Sequence, residues 1–182
     1  MNKNFQEDCE QWAIGKQPGM LWKLKHYILF PTFRIVFWKR IGENTHNSFL
    51  LFLVKLKLWR YQNKYLITMP YDTHVGGGIS FPHGGPVVIT GGAKIGKCAI
   101  IHPNVLIGGQ IYEGCPTLGN RVFVGNGAKI IGKIKIGDDV FIAPGTVVVK
   151  DIPTGSVVVG NPSKIINQNG PEYVKKYLYS TW

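Results

Sequence analysis

The chain has 182 residues, of which 45% are apolar, with 23 glycines and 11 prolines, enough apolar content for one domain with a core. The glycines have no collagen-like period, so frequent turns between short strands fit better than long helices. A formal charge of +11 favours anionic partners such as nucleic acid, a phospholipid surface or a phosphorylated small molecule. The basic residues are scattered and form no recognition motif, which argues against nucleic acid.

Three cysteines, Cys9, Cys98 and Cys115, are odd in number and lack CxxC spacing. They indicate neither a disulfide framework nor a zinc site, and point to a reducing compartment. The opening MNKNFQEDCEQW has no apolar run and carries acids early, unlike a signal peptide. No apolar stretch reaches the ~18 residues that span a bilayer. A cytoplasmic protein is therefore expected.

Residues 1–69 read as an α-helical region with 11 Lys and Arg against 4 Asp and Glu up to Pro70. A first helix is expected over Leu21–Leu29. Pro31 opens a second through Thr32–Ile41, which Gly42 closes. A third runs from Ser48 to about Asn63, capped by Ser48 or Asn47. The segments LWKLKHYILF, FRIVFWKR and LLFLVKLKLWR mix Trp, Phe and Leu with Lys and Arg. Such a mixture suits an anionic membrane interface, and also suits packing on the rest of the protein.

After Pro70 an internal repeat takes over, predicting a β-helix over 70–168. Ile89, Ile95, Ile101 and Ile107 recur every six residues, and so do Leu118, Val124, Ile130, Ile136, Ile142 and Val148. A small or β-branched residue precedes most anchors by two, and glycine follows several. Period six fits neither a helix nor a long strand; it fits a parallel β-helix in which each hexapeptide forms one side of a triangular coil. The aliphatic anchors stack inward and supply the core. Between Ile107 and Leu118 the phase slips by five residues, so GGQIYEGCPT leaves the coil as a loop, a common place for function. Residues 169–182 are expected to form a short helix or tail after Pro171.

These repeats, with FPHGGPVVI, the VKDIP turn and the closing GNPSKII, resemble the hexapeptide-repeat acyltransferases. Within them the sequence most resembles the serine acetyltransferase-like branch that includes capsule and exopolysaccharide O-acetyltransferases of the colanic-acid type. The resemblance implies a left-handed coil, a homotrimer, and acetyl-CoA as acyl donor without a metal. It also implies that His83 is the general base, which suits attack of a hydroxyl on a thioester near neutral pH. Asp72 is the candidate that orients His83, although the family's aspartate lies further upstream. The pantetheine arm of the donor would pass Gly108 and Gly109, then Asn126 and Pro144, with Lys150, Lys164 and, more weakly, Lys129 near the nucleotide. His74 and His102 read as scaffold residues.

The acceptor positions depart from the serine enzymes. Pro82 stands where they carry an acid, and Gly114 and Cys115 stand where they carry an Arg–His pair. On that ground a saccharide hydroxyl is expected as acceptor, with serine as the alternative. A non-catalytic scaffold held at the inner face of the membrane is a further alternative.

Overall fold

The computed structural model describes residues 3–13, 18–109 and 114–178. Four helices open the chain: α1 (Lys3–Trp12), α2 (Met20–Leu29), α3 (Pro31–Glu43) and α4 (Ser48–Tyr65). Pro31 sits at the first position of α3, where its missing N–H costs no hydrogen bond. Gly42 does not end that helix, which runs one residue further. Asn47 caps α4, its side chain accepting from the Leu50 amide at 3.0 Å.

The coil starts at β1 (Ile67–Thr68) and β2 (His74–Val75), with a third side marked by the bridge of Ser80 to Ile100. Each following turn adds three short strands: β3 (Val87–Ile89), β4 (Lys94–Ile95) and β5 (Ile100–Ile101), then β6 (Val105–Gly108), β7 (Thr117–Leu118) and β8 (Phe123–Val124). Next come β9 (Lys129–Ile131), β10 (Lys135–Ile136) and β11 (Phe141–Ile142), then β12 (Val147–Val148) and β13 (Val157–Val159). An antiparallel β14 (Lys164–Asn167) and α5 (Gly170–Leu178) follow. The strands stack as three parallel sheets, one per side of the triangle: β1-β3-β6-β9-β12, β2-β4-β7-β10 and β5-β8-β11-β13. The result is a parallel β-solenoid of hexapeptides behind a helical region.

The repeat anchors lie in register. Ile89 pairs with Ile107, Ile107 with Ile130, and Ile130 with Val148. On the next side Ile95 pairs with Leu118 and Leu118 with Ile136. Ile95 meets Leu118 directly, so the stacking of this side continues across the interval between β6 and β7. Positions 110–113 of that loop lie outside the described residues. All ten anchors are at most 3% exposed and belong to one continuous core. Tight corners need glycine. At Gly96 an added Cβ would run into the Gly119 carbonyl of the next turn.

The helices are bolted to the first turn by buried charge. Arg40 on α3 pairs with fully buried Asp8 on α1 at 2.8 Å and donates to the carbonyls of Val75 and Gly76. Asp8 also accepts from the amides of Gly78 and Ile79. Lys39, wholly buried, donates to Glu43 and to the carbonyls of Tyr71 and Thr73. These cations satisfy corner carbonyls that the first turn cannot pair with a preceding one. At the other end, Val174 and Tyr177 of α5 cover Phe123 and Phe141 on the outer face of the third sheet.

Candidate active site

His83 stands on the corner that leads from the third side of the first turn into β3. Gly84 and Gly85 follow it with φ of +63° and +88°, a left-handed path that glycine takes without strain. The exposed imidazole borders a groove of 330 Å³. Its walls are the α2–α3 junction, the end of α4 (Lys64, Tyr65 and Leu66), and the corner itself, including Pro82.

His102, on the following turn, meets His83 edge to face with ring centroids 5.5 Å apart. Its other side rests on Phe123, at 4.9 Å. The His102 Nε2 is buried and has no hydrogen-bond partner among the described residues. Burial, and then the neighbouring His83, hold the His102 pKa below its ordinary value. A neutral imidazole is thus kept beside the proposed base. Sequence context alone predicts a scaffold role for His102. Its spacing from His83 is about one turn of three hexapeptides, and this was the signal that the two would stack.

The other expected residues divide between two corners of the triangle. Asn126 and Pro144 lie in the same corner column as His83. Backbone bonds run up this column from Gly127 to the Pro103 carbonyl (2.9 Å) and from Gly145 to the Asn126 carbonyl (2.8 Å). Gly108, Gly109, Gly114 and Cys115 lie at the opposite edge of the first sheet, where the Cys115 Sγ is 3.5 Å from the Thr90 hydroxyl. Lys150 occupies that same corner higher up, beyond β12. Lys129 projects from β9, and Lys164 from β14, both exposed. Asp72 lies beyond the far end of β1, at the corner between β1 and β2, where it acts on Lys39. The fold of one chain therefore does not bring Asp72 to His83. Among the described residues no group of three or more His, Cys, Asp or Glu could hold a metal ion.

Residues 116–150 match the family described as bacterial transferase hexapeptide (six repeats). A serine acetyltransferase of Helicobacter pylori is 34% identical over 162 residues, covering 86% of this chain and 94% of that protein. One from Mycobacterium tuberculosis is 41% identical over 100 residues, 53% of this chain and 44% of its own. Among solved structures, the Neisseria gonorrhoeae serine acetyltransferase in complex with serine aligns with a TM-score of 0.74 and 25% identity, over 89% of this chain and 67% of that one. The soybean serine acetyltransferase apoenzyme gives 0.73 and 27%, over 88% and 66%. The solenoid and its repeats define a hexapeptide-repeat acyltransferase. Within that class the chain belongs to the serine acetyltransferase family.

This membership corrects the expected acceptor. The saccharide reading and the capsule-type branch are set aside, because the match to the Helicobacter pylori enzyme spans nearly its whole length. The departures at Pro82, Gly114 and Cys115 are local and do not outweigh a match of that extent. A solenoid stacks its neighbouring turns onto each of them. His102 lies one turn on from the Pro82–His83 corner, and the Lys133 side chain packs on Gly114, within 3.2 Å of where a Cβ would sit.

Proposed function

We propose that this protein transfers the acetyl group of acetyl-CoA to the hydroxyl of serine. The observation that carries the reading is the corner histidine, open to a groove, in a chain that matches a serine acetyltransferase over 86% of its own length and 94% of that enzyme's. His83 takes the hydroxyl proton as the serine oxygen attacks the thioester carbonyl. The tetrahedral intermediate collapses, the carbon–sulfur bond breaks, and the imidazolium returns its proton to the leaving thiolate. The products are O-acetylserine and free coenzyme A.

The donor would run along the corner that holds Gly108 and Gly109, whose amides suit a developing oxyanion. Asn126 and Pro144 would contact the pantetheine arm, and Lys129, Lys150 and Lys164 the phosphates. His83 and Gly108 lie at opposite edges of one sheet, so a single coil cannot unite them. A homotrimer, in which one edge of each coil faces the other edge of its neighbour, would complete each site and allow Asp72 or another group to reach a neighbour's base. Serine itself would find its ionic partners in residues stacked from adjoining turns, with Lys133 near its carboxylate. Acetyl-CoA as donor supports a cytoplasmic reaction.

The test is to incubate the protein with serine and isotopically labelled acetyl-CoA. Labelled O-acetylserine should form, and His83→Ala should abolish it. Donor hydrolysis without the serine ester would overturn the reading.

A further inference from the structure

Helix α4 has two faces, and only one of them is used by the fold. Val54 and Leu58 are buried, and half-buried Tyr61 and Tyr65 continue the same stripe. The opposite stripe carries Phe49, Phe52, Leu53, Leu56 and Trp59, recurring at three- and four-residue steps. It faces outward: Phe49 is 72% and Trp59 63% exposed. An apolar groove of 470 Å³ runs beside it, formed with Trp38 of α3. Helix α2 repeats the pattern. None of its residues is buried, and Met20, Leu21, Leu24 and Ile28 fall on one exposed face.

The charges carried by these two helices have one sign. Lys57, Arg60 and Lys64 flank the α4 stripe on one side and Lys55 on the other, while α2 carries Lys23 and Lys25. Neither helix contains an aspartate or glutamate. Such an unpartnered apolar face is large for a solvent-facing surface. Pairing with a second copy through the same face would set cationic rims against each other with no acid on either helix to offset them. An anionic bilayer offers both acyl chains for the apolar stripe and phosphates for its rim. Among the described residues no helix is long and apolar enough to cross a membrane, so contact would be in the plane of the interface.

We infer that the outer faces of α4 and α2 dock this protein onto an anionic lipid surface. The inference stands apart from the acetyl-transfer reading, since of the residues that form its stripe and cationic rim only Lys64 also borders the His83 groove. The docked stripe nevertheless belongs to the helix whose last residues, Lys64 and Tyr65, wall the His83 groove. A docked protein would therefore work with its groove close to the interface.

The experiment is co-sedimentation of the whole protein with vesicles of phosphatidylglycerol and phosphatidylcholine, against vesicles of phosphatidylcholine alone. The protein should pellet with the anionic vesicles at low salt and leave them at high salt. Phe52→Glu with Leu56→Glu should lower the bound fraction by about tenfold or more, and Lys57→Glu with Arg60→Glu should do the same. Both pairs face solvent, so thermal melting should stay within a few degrees of the parent. Wild-type protein that stays in the supernatant would overturn the inference, as would equal binding to both vesicle types. A change of oligomeric mass in the Phe52→Glu, Leu56→Glu variant, without lipid binding by the parent, would assign the face to a second copy instead.

Discussion

His102 lies edge-on to His83, with ring centroids 5.5 Å apart, and has its own Nε2 sealed from water. Two imidazoles in contact cannot both be protonated cheaply, and burial selects His102 as the one that stays neutral. In the proposed reaction, it is His83 that takes the proton from the acceptor hydroxyl.

This pair makes stability depend on pH. The folded pKa of His102 lies below the ordinary 6.5, so as pH falls through that value the unfolded chain binds the proton first. Stability present above about pH 6.5 is lost on descending toward the lower folded pKa. Thermal melts should give a lower Tm in mildly acid buffer than at neutral pH. His102→Phe, which keeps the packing on Phe123 but cannot ionise, should shrink that difference. An unchanged difference would place the acid sensitivity elsewhere.

Removing the base should affect rate far more than fold. His83→Ala is expected to lower kcat by about 10²–10⁴-fold, the usual worth of a positioned general base. Its side chain is exposed, so Tm should hardly move. Steady-state kinetics beside a thermal melt separates the two effects.

The ion pair between Asp8 and Arg40 predicts a stability effect remote from chemistry. Arg40→Ala would leave Asp8 buried without its cation and leave the Val75 and Gly76 carbonyls short of a donor. A loss of about 3–5 kcal/mol in urea unfolding is expected. Replacing both partners with apolar residues should cost less than the sum of the single changes.

The coil itself is tested at a corner. Gly96→Ala would push a methyl group into the Gly119 carbonyl, and about 1–3 kcal/mol of destabilisation should follow. A neutral result would mean that adjacent turns have more slack than their hydrogen-bonded register implies.

The solenoid was legible in the sequence because its core is periodic. Ten anchors in two six-residue registers specify sides, turns and register together. The starts of α3 and α4 were legible through Pro31 and Asn47, whereas both helices run about two residues past their expected ends. Helix α1 was not legible, because the buried partners of Asp8 lie 32 and about 70 residues away along the chain. His83 could be read from its corner and family resemblance. His102 was passed over because a contact one turn away looks like a distant residue in a linear text. The acceptor was not legible from Pro82, Gly114 and Cys115, which carry no charge to mark an ionic partner.

The most direct test of the central proposal is the serine dependence of coenzyme A release. Free thiol should be followed with acetyl-CoA held constant and serine varied, beside free sugars and other small hydroxyl compounds at matched concentrations. Saturable release with serine is expected, at a kcat/KM well above that of any other acceptor and lost in His83→Ala. Release that is indifferent to serine, or greater with a sugar, would contradict it.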